Sequence, residues 1–232
     1  MRKLNWFLSK FNTIAPTEWG INSNVHLDMG CGSNPRNPFG AKKLFGADIL
    51  KSKTIEFEIR FEYLKMELDG VIPLGAESVD SISGFDFIEH LPRGSNVDSN
   101  LFIKFMNEAF RVLRGGGILF LVTPAFPSSA AFQDPTHVNF ISENTVNYFV
   151  GKTPAASSLG YGFNGNFKLI AQEWVGPLSL IWGNLLSDTS KSVKRAKLLR
   201  LFRSFSSLRS ARIFISSIRK PTHLLWILEK SN

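Results

Sequence analysis

The densest cluster of groups able to hold a polar ligand is VHLDMGCGSNP, from Val25 to Pro35. An apolar run carrying Asp28 passes into Gly30 and Gly32. Two glycines there let the backbone turn sharply at the end of a strand, where α/β sheets bind ligands. A carboxylate follows at Asp48, 18 residues after Gly30 and at the end of the next apolar run. An acidic side chain at that distance accepts the hydroxyls of a ribose. Plain tight turns also use paired glycines, so Asp48 carries more of the reading than the glycines do. Cys31, between them, is open to two roles: a thiol activated at a helix start, or a small packing residue. A second cluster is QDPTH, from Gln133 to His137. Asp134 and His137 suit proton transfer from a hydroxyl. They equally suit pinning of the loop through hydrogen bonds to its backbone. Two ligands alone make a weak case for a divalent ion.

The kind of ribose cofactor turns on the third glycine of the dinucleotide fingerprint, whose place is taken by Pro35. With Pro35 and Pro38 interrupting the following segment, a pyrophosphate finds neither close backbone approach nor a clean helix start. That disfavours nicotinamide and flavin dinucleotides. A cofactor with ribose and adenine but no phosphate needs neither, and S-adenosylmethionine is the common one.

The elements that would position these groups alternate in period. Apolar runs at 25–29, 44–49, 63–68, 79–88 and 117–122 have the character of strands buried on both faces. Between the fourth and fifth, residues 99–113 place Leu101, Phe102, Phe105, Met106, Ala109, Val112 and Leu113 on one helical stripe, with Gly115 to Gly117 expected to stop it. A polar loop spans 124–141, and Ser142 with Glu143 reads as a helix start. Strand-like runs recur at 167–175 and 222–229. The order predicts one α/β domain with a doubly wound sheet over residues 1–232, preceded by a helical brace within 1–20 and carrying a basic helical insertion, 177–220, before its last strand.

Composition bounds the partners. With 232 residues, 44% of them hydrophobic, the chain can bury a full core, and its single cysteine excludes an internal disulfide and a cysteine zinc cage. No apolar run approaches the roughly 18 residues of a membrane-spanning helix. The start, MRKLNWFLSKF, lacks the uninterrupted apolar core and cleavage site of a secretory signal, so retention in the cytoplasm is expected. The net charge of +8 is uneven: Lys191 to Lys220 holds ten basic residues and no acidic one, leaving 17 basic against 19 acidic elsewhere. Phenylalanines and leucines interleave with those ten cations. The pattern fits a peripheral helix on an anionic bilayer or a solvated cap on the sheet edge, and both stay open. Nucleic-acid binding ranks below them, because these phenylalanines hold helical core spacing rather than an exposed stacking platform.

Four blocks together resemble the class I S-adenosylmethionine-dependent methyltransferases. LDMGCGSNP is similar to their first motif and GADIL to their second-strand acid. LDGVIPLGAESVDSISGFDFIEHL resembles their third block, and RVLRGGGILFLVTP resembles the strand that follows. The resemblance covers roughly residues 24–150 and implies a mostly parallel seven-stranded sheet with an antiparallel last strand. It implies that Asp28, Gly30 and Gly32 wrap the methionine end of the cofactor beside Cys31, that Asp48 holds the ribose, that Asp69 accepts from the adenine amino group, and that Phe85 lies by the methyl donor. It gives Glu89 and His90 a structural or cofactor-side role. Only 15 residues separate Gly32 from Asp48, so the first helix of the family must be short or a loop here. TPAFPSSAAFQDPTHVNFISENTVNYF further resembles a subgroup associated with surface-polysaccharide and lipopolysaccharide synthesis. That implies a glycan or small-molecule acceptor, with Asp134 and His137 at the acceptor site and His137 as general base.

Overall fold

The computed structural model describes residues 23–33, 35–49, 61–67, 69–95, 99–176 and 221–232. The expected brace within 1–20 and the basic insertion 177–220 lie outside the described residues. Seven strands form one sheet: β1 (Val25–Met29), β2 (Lys43–Asp48), β3 (Glu62–Lys65), β4 (Val79–Phe85), β5 (Leu113–Pro124), β6 (Phe167–Val175) and β7 (His223–Lys230), in the order β3-β2-β1-β4-β5-β7-β6. The first five run parallel, and β7 lies antiparallel between β5 and β6. The chain therefore works outward from β1 to β3 and returns to place β4 beside β1. The crevice of a doubly wound sheet opens at the carboxyl ends of those two strands.

The sheet buries both faces, as its unbroken apolar runs require. On one face Leu27, Met29, Ile82, Leu119, Leu121, Trp226 and Leu228 meet helix α1 (Leu101–Val112), whose Phe102, Phe105, Met106, Ala109 and Val112 form the expected stripe. Asn100 caps that helix, its Oδ1 accepting from the amides of Phe102 at 3.0 Å and Ile103 at 3.2 Å. On the other face Phe85, Ile118, Phe120, Val122, Leu225 and Ile227 gather under Phe39. Arg111, near the end of α1, donates to the carbonyls of Ile72 and Leu74, each at 2.9 Å. Glu108 Oε2 accepts from the Ile72 amide at 2.8 Å, so the helix holds the loop before β4.

Three local expectations shift. Helix α1 stops at Val112, before the glycines: Leu113 is already extended and pairs with Val79. The register slips between Val79 and Ser81, and the glycines absorb the surplus residues of the bulge, Gly116 at φ +73°. Strand β4 ends at Phe85 because Asp86 takes φ +49°, and Ile88–His90 form a single 3₁₀ turn. The helix expected after Ser142 is a 3₁₀ turn, Glu143–Tyr148. Between β1 and β2 the described residues form loop rather than helix, as the short spacing requires. No helix among the described residues is long and apolar enough to cross a membrane.

Candidate cofactor and acceptor site

Gly30 and Gly32 both adopt left-handed backbone, at φ +63° and +56°, a conformation that L side chains resist. A Cβ on Gly30 would stand 2.8 Å from Cδ2 of Phe87, whereas among the described residues a Cβ on Gly32 would meet nothing within 4 Å. The loop is thus pressed against an aromatic ring on one side and open on the other. Asp48 turns toward it, with Oδ2 accepting from the Gly32 amide at 2.8 Å, and the Cys31 amide donates to the Ala47 carbonyl at 3.2 Å. Pro35 is buried over the sheet face: a Cβ on Gly46 would collide with Pro35 Cγ and fall 2.9 Å from Cys31 Sγ. It therefore leaves the open side of Gly32 clear. Gly46 is the residue that lets the loop lie this close to β2.

Beneath the loop runs a buried polar chain that the sequence did not announce. Asp28 is fully buried, Oδ1 accepting from the Ser83 hydroxyl at 2.5 Å and Oδ2 from the Arg36 amide at 2.7 Å. Burial pushes its carboxyl up to about 6, with these two bonds pulling against the shift. Since Ser83 spends its proton on Asp28, its oxygen accepts from His26 Nε2 at 2.9 Å, and Nδ1 faces the Ser81 hydroxyl at 2.7 Å. Burial drives His26 down to about 3, so it is a neutral structural imidazole. The parallel register of β1 and β4 puts His26, Asp28, Ser81 and Ser83 on one face, where they satisfy one another.

The other predicted cofactor residues divide. Burial pushes the Cys31 thiol up to about 12, away from the thiolate form that an activated role needs, and among the described residues no helix begins there. Phe85 points into the second core, 5% exposed, against Phe120 and with the Arg36 guanidinium 4.5 Å over its ring. The aromatic side chain against the glycine loop is Phe87: strand alternation turns Phe85 to the Asp28 face, and the left-handed Asp86 breaks that alternation before Phe87. Asp69 is exposed and accepts from the Val71 amide at 3.0 Å, shaping the loop that Arg111 holds.

The acceptor-side candidates converge across the 3₁₀ turn after β4 and the loop after β5. Backbone amides of Val138 and Asn139 donate to the Glu89 carbonyl at 2.9 and 3.1 Å, fastening loop to turn. Asp134 Oδ1 accepts from the amide of Thr136 at 2.8 Å and its hydroxyl at 2.6 Å, which hold its carboxyl below the usual range. Asp134 therefore pins the loop. The rings of His90 and His137 meet edge to face with centroids 4.7 Å apart. Glu89 is 1% exposed, with Oε2 accepting from Thr123 at 3.0 Å; burial, aided by Asp86 and Asp134, pushes it up to about 8. His223, given no role from sequence, reaches the same edge because β7 runs antiparallel, and its Nε2 lies 3.1 Å from Asp86 Oδ1. Beyond β5 a cleft of about 1,020 Å³ is lined by Phe126, Ser129, Glu143, Asn144, Trp174 and Thr222.

Among solved structures, a SAM dependent methyltransferase from Archaeoglobus fulgidus shares 17% identity over 96% of this chain and 93% of its own, with a TM-score of 0.53. The fold is that of the S-adenosylmethionine-dependent methyltransferases. A Haloferax volcanii chain of this methyltransferase fold, solved in complex with the Trm112 methyltransferase activator, shares 13% identity over 97% of this chain and 95% of its own, at a TM-score of 0.52. The [4+2]-cyclase SpnF also shares it, with 12% identity over 96% of this chain and 80% of its own, at 0.51. The methyltransferase fold thus carries more than one chemistry, and the residues of the site rather than the fold set the reaction. No protein-family model and no curated protein matches the chain.

Proposed function

We propose that the chain is an S-adenosylmethionine-dependent methyltransferase whose acceptor is a hydroxyl of a sugar or glycan precursor in surface-polysaccharide synthesis. The observation that carries the reading is the pairing of Asp48 with the Gly32 amide at the mouth of the sheet, beside a glycine whose side-chain direction is open. S-adenosylmethionine supplies a methyl group made electrophilic by its sulfonium. Asp48 accepts from the ribose hydroxyls, Asp69 from the adenine amino group, and the Gly30–Gly32 backbone admits the methionine end. Phe87 and the core beneath it keep water from one side of the loop, which favours alignment for an in-line displacement. A sugar hydroxyl, with a pKa far above 7, must lose its proton as the new C–O bond forms, and the Glu89, His90 and His137 cluster stands at this edge to serve that loss. Asp134 positions the loop that carries His137.

The cleft beside β5 supports the acceptor class. Two aromatic side chains, Phe126 and Trp174, stand among serine, asparagine and glutamate groups, a lining suited to an uncharged polyhydroxyl ligand. The ten cations of 191–220 would bring such an enzyme to a lipid-linked glycan at an anionic membrane surface on the cytoplasmic side. Titration calorimetry with S-adenosylmethionine tests the cofactor: one molecule bound per chain, and an affinity at least about tenfold weaker in Asp48→Ala, from loss of charge-assisted hydrogen bonds. Absence of binding would end the reading. Transfer of labelled methyl to nucleotide sugars or glycan fractions, run beside RNA, tests the acceptor, and label on RNA alone would overturn it.

A further inference from the structure

Glu89, His90 and His137 bring one carboxylate oxygen and one nitrogen from each ring within 4.8 Å of one another. Hydrogen bonds decide where each ring keeps its lone pair. His137 Nδ1 lies 3.1 Å from the Ala131 carbonyl, which can only accept, so the proton is on Nδ1 and the lone pair on Nε2. Thr136 spends its hydroxyl proton on Asp134 Oδ1, so at 3.0 Å its oxygen accepts from His90 Nδ1, and His90 also keeps its lone pair on Nε2. Glu89 has one oxygen on Thr123, and the other, Oε1, is buried without a hydrogen-bond partner among the described residues. No lysine or arginine among the described residues forms an ion pair with it, while Asp86 and Asp134 add negative charge nearby. A buried carboxylate oxygen in that setting calls for a proton or a cation.

We infer that Glu89, His90 and His137 form a binding site for a divalent first-row transition ion of the zinc and cobalt type. Two imidazoles and one carboxylate are the donor set of catalytic zinc and related sites that keep coordination positions open. Both rings are half-buried, so those positions reach solvent and an incoming hydroxyl. The outer contacts agree: ligating histidines donate their other ring nitrogen to a carbonyl or carboxylate, as His137 does to Ala131 and His90 does through Thr136 to Asp134. The site's use in catalysis rests on the methyl-transfer reading; its existence does not. In that use His137 is a ligand rather than a free base. The cation acidifies the acceptor hydroxyl, whose proton leaves to water. The oxygen pair then bonds the methyl carbon, and the C–S pair returns to sulfur, leaving a thioether.

The test uses the full chain, stripped with a chelator and titrated with Co²⁺, followed by its visible absorption, and with Zn²⁺ by calorimetry. One equivalent per chain is expected, with a rise in thermal midpoint. His137→Ala should weaken uptake by more than about 100-fold. Thr136→Val, at an exposed position, should weaken it by about 10–100-fold at unchanged stoichiometry. Failure of the wild-type chain to take up a stoichiometric ion overturns the site, as does uptake that neither His137→Ala nor Glu89→Gln reduces. S-adenosylmethionine calorimetry on the same samples separates the two ideas: ion uptake without cofactor binding leaves the metal site standing and removes the methyltransferase reading, and cofactor binding without ion uptake does the reverse.

Discussion

Replacing each loop glycine by alanine should separate stability from ligand binding. Gly30 and Gly32 have nearly the same left-handed backbone, φ +63° and +56°, so each substitution incurs about 1–2 kcal/mol of conformational strain. Their surroundings differ. The new methyl at Gly30 would lie 2.8 Å from Phe87 Cδ2, and Phe87 cannot simply swing away because its ring packs edge to face on Phe105 at 5.1 Å. Overpacking of that kind adds about 1–3 kcal/mol, so Gly30→Ala should lose about 2–5 kcal/mol in all. At Gly32 none of the described residues lies within 4 Å of the new methyl, and Gly32→Ala should lose only the conformational part. Its methyl projects into the space assigned to the cofactor, so its S-adenosylmethionine affinity should fall by about 5- to 150-fold, the same 1–3 kcal/mol of crowding moved onto the ligand. Urea denaturation measures the first effect and titration calorimetry the second. Equal stability losses in the two variants, or wild-type affinity in Gly32→Ala, would refute the assignment of an inner and an outer glycine.

The His26 chain makes stability depend on acid. Below its ordinary 6.5 the unfolded chain protonates this histidine, while buried His26 stays neutral down to about 3, so its contribution is lost as pH falls through that window. Asp28, raised to about 6, acts in the opposite sense between about 6 and its ordinary 3.8, and does so in wild type and variant alike. The stability advantage of wild type over His26→Gln should therefore narrow by up to about 1.4 kcal/mol per pH unit below 6.5; urea midpoints at pH 7, 6 and 5 measure it, and a gap that ignores pH contradicts the buried neutral imidazole. The basic segment has its own assay. Changing Arg195, Lys197, Arg200 and Arg203 to glutamine should weaken sedimentation with anionic vesicles by up to about a thousandfold at low salt, at about 1 kcal/mol per cation. Equal pelleting of both forms would remove the membrane from the functional reading.

What the amino-acid sequence determined by itself was whatever depends on local period and local backbone chemistry. The runs from Val25, Lys43 and Val79, the stripe Phe102–Val112 and the glycines at 30 and 32 are short-range signals, and their alternation marks a doubly wound α/β sheet. The 15 residues between Gly32 and Asp48 announced the missing first helix in the same way, since a helix and its two turns do not fit. Only the tertiary structure decided the rest, because it depends on contacts between distant segments. Phe87 rather than Phe85 meets the glycine loop because a left-handed Asp86 ends β4 one residue after Phe85 and turns the chain back. Glu89, His90 and His137 become one group because the loop after β5 hangs its amides on the Glu89 carbonyl, joining residues 48 positions apart. His223 joins the working edge solely because β7 is antiparallel, which brings its first residue beside Pro124 at the end of β5.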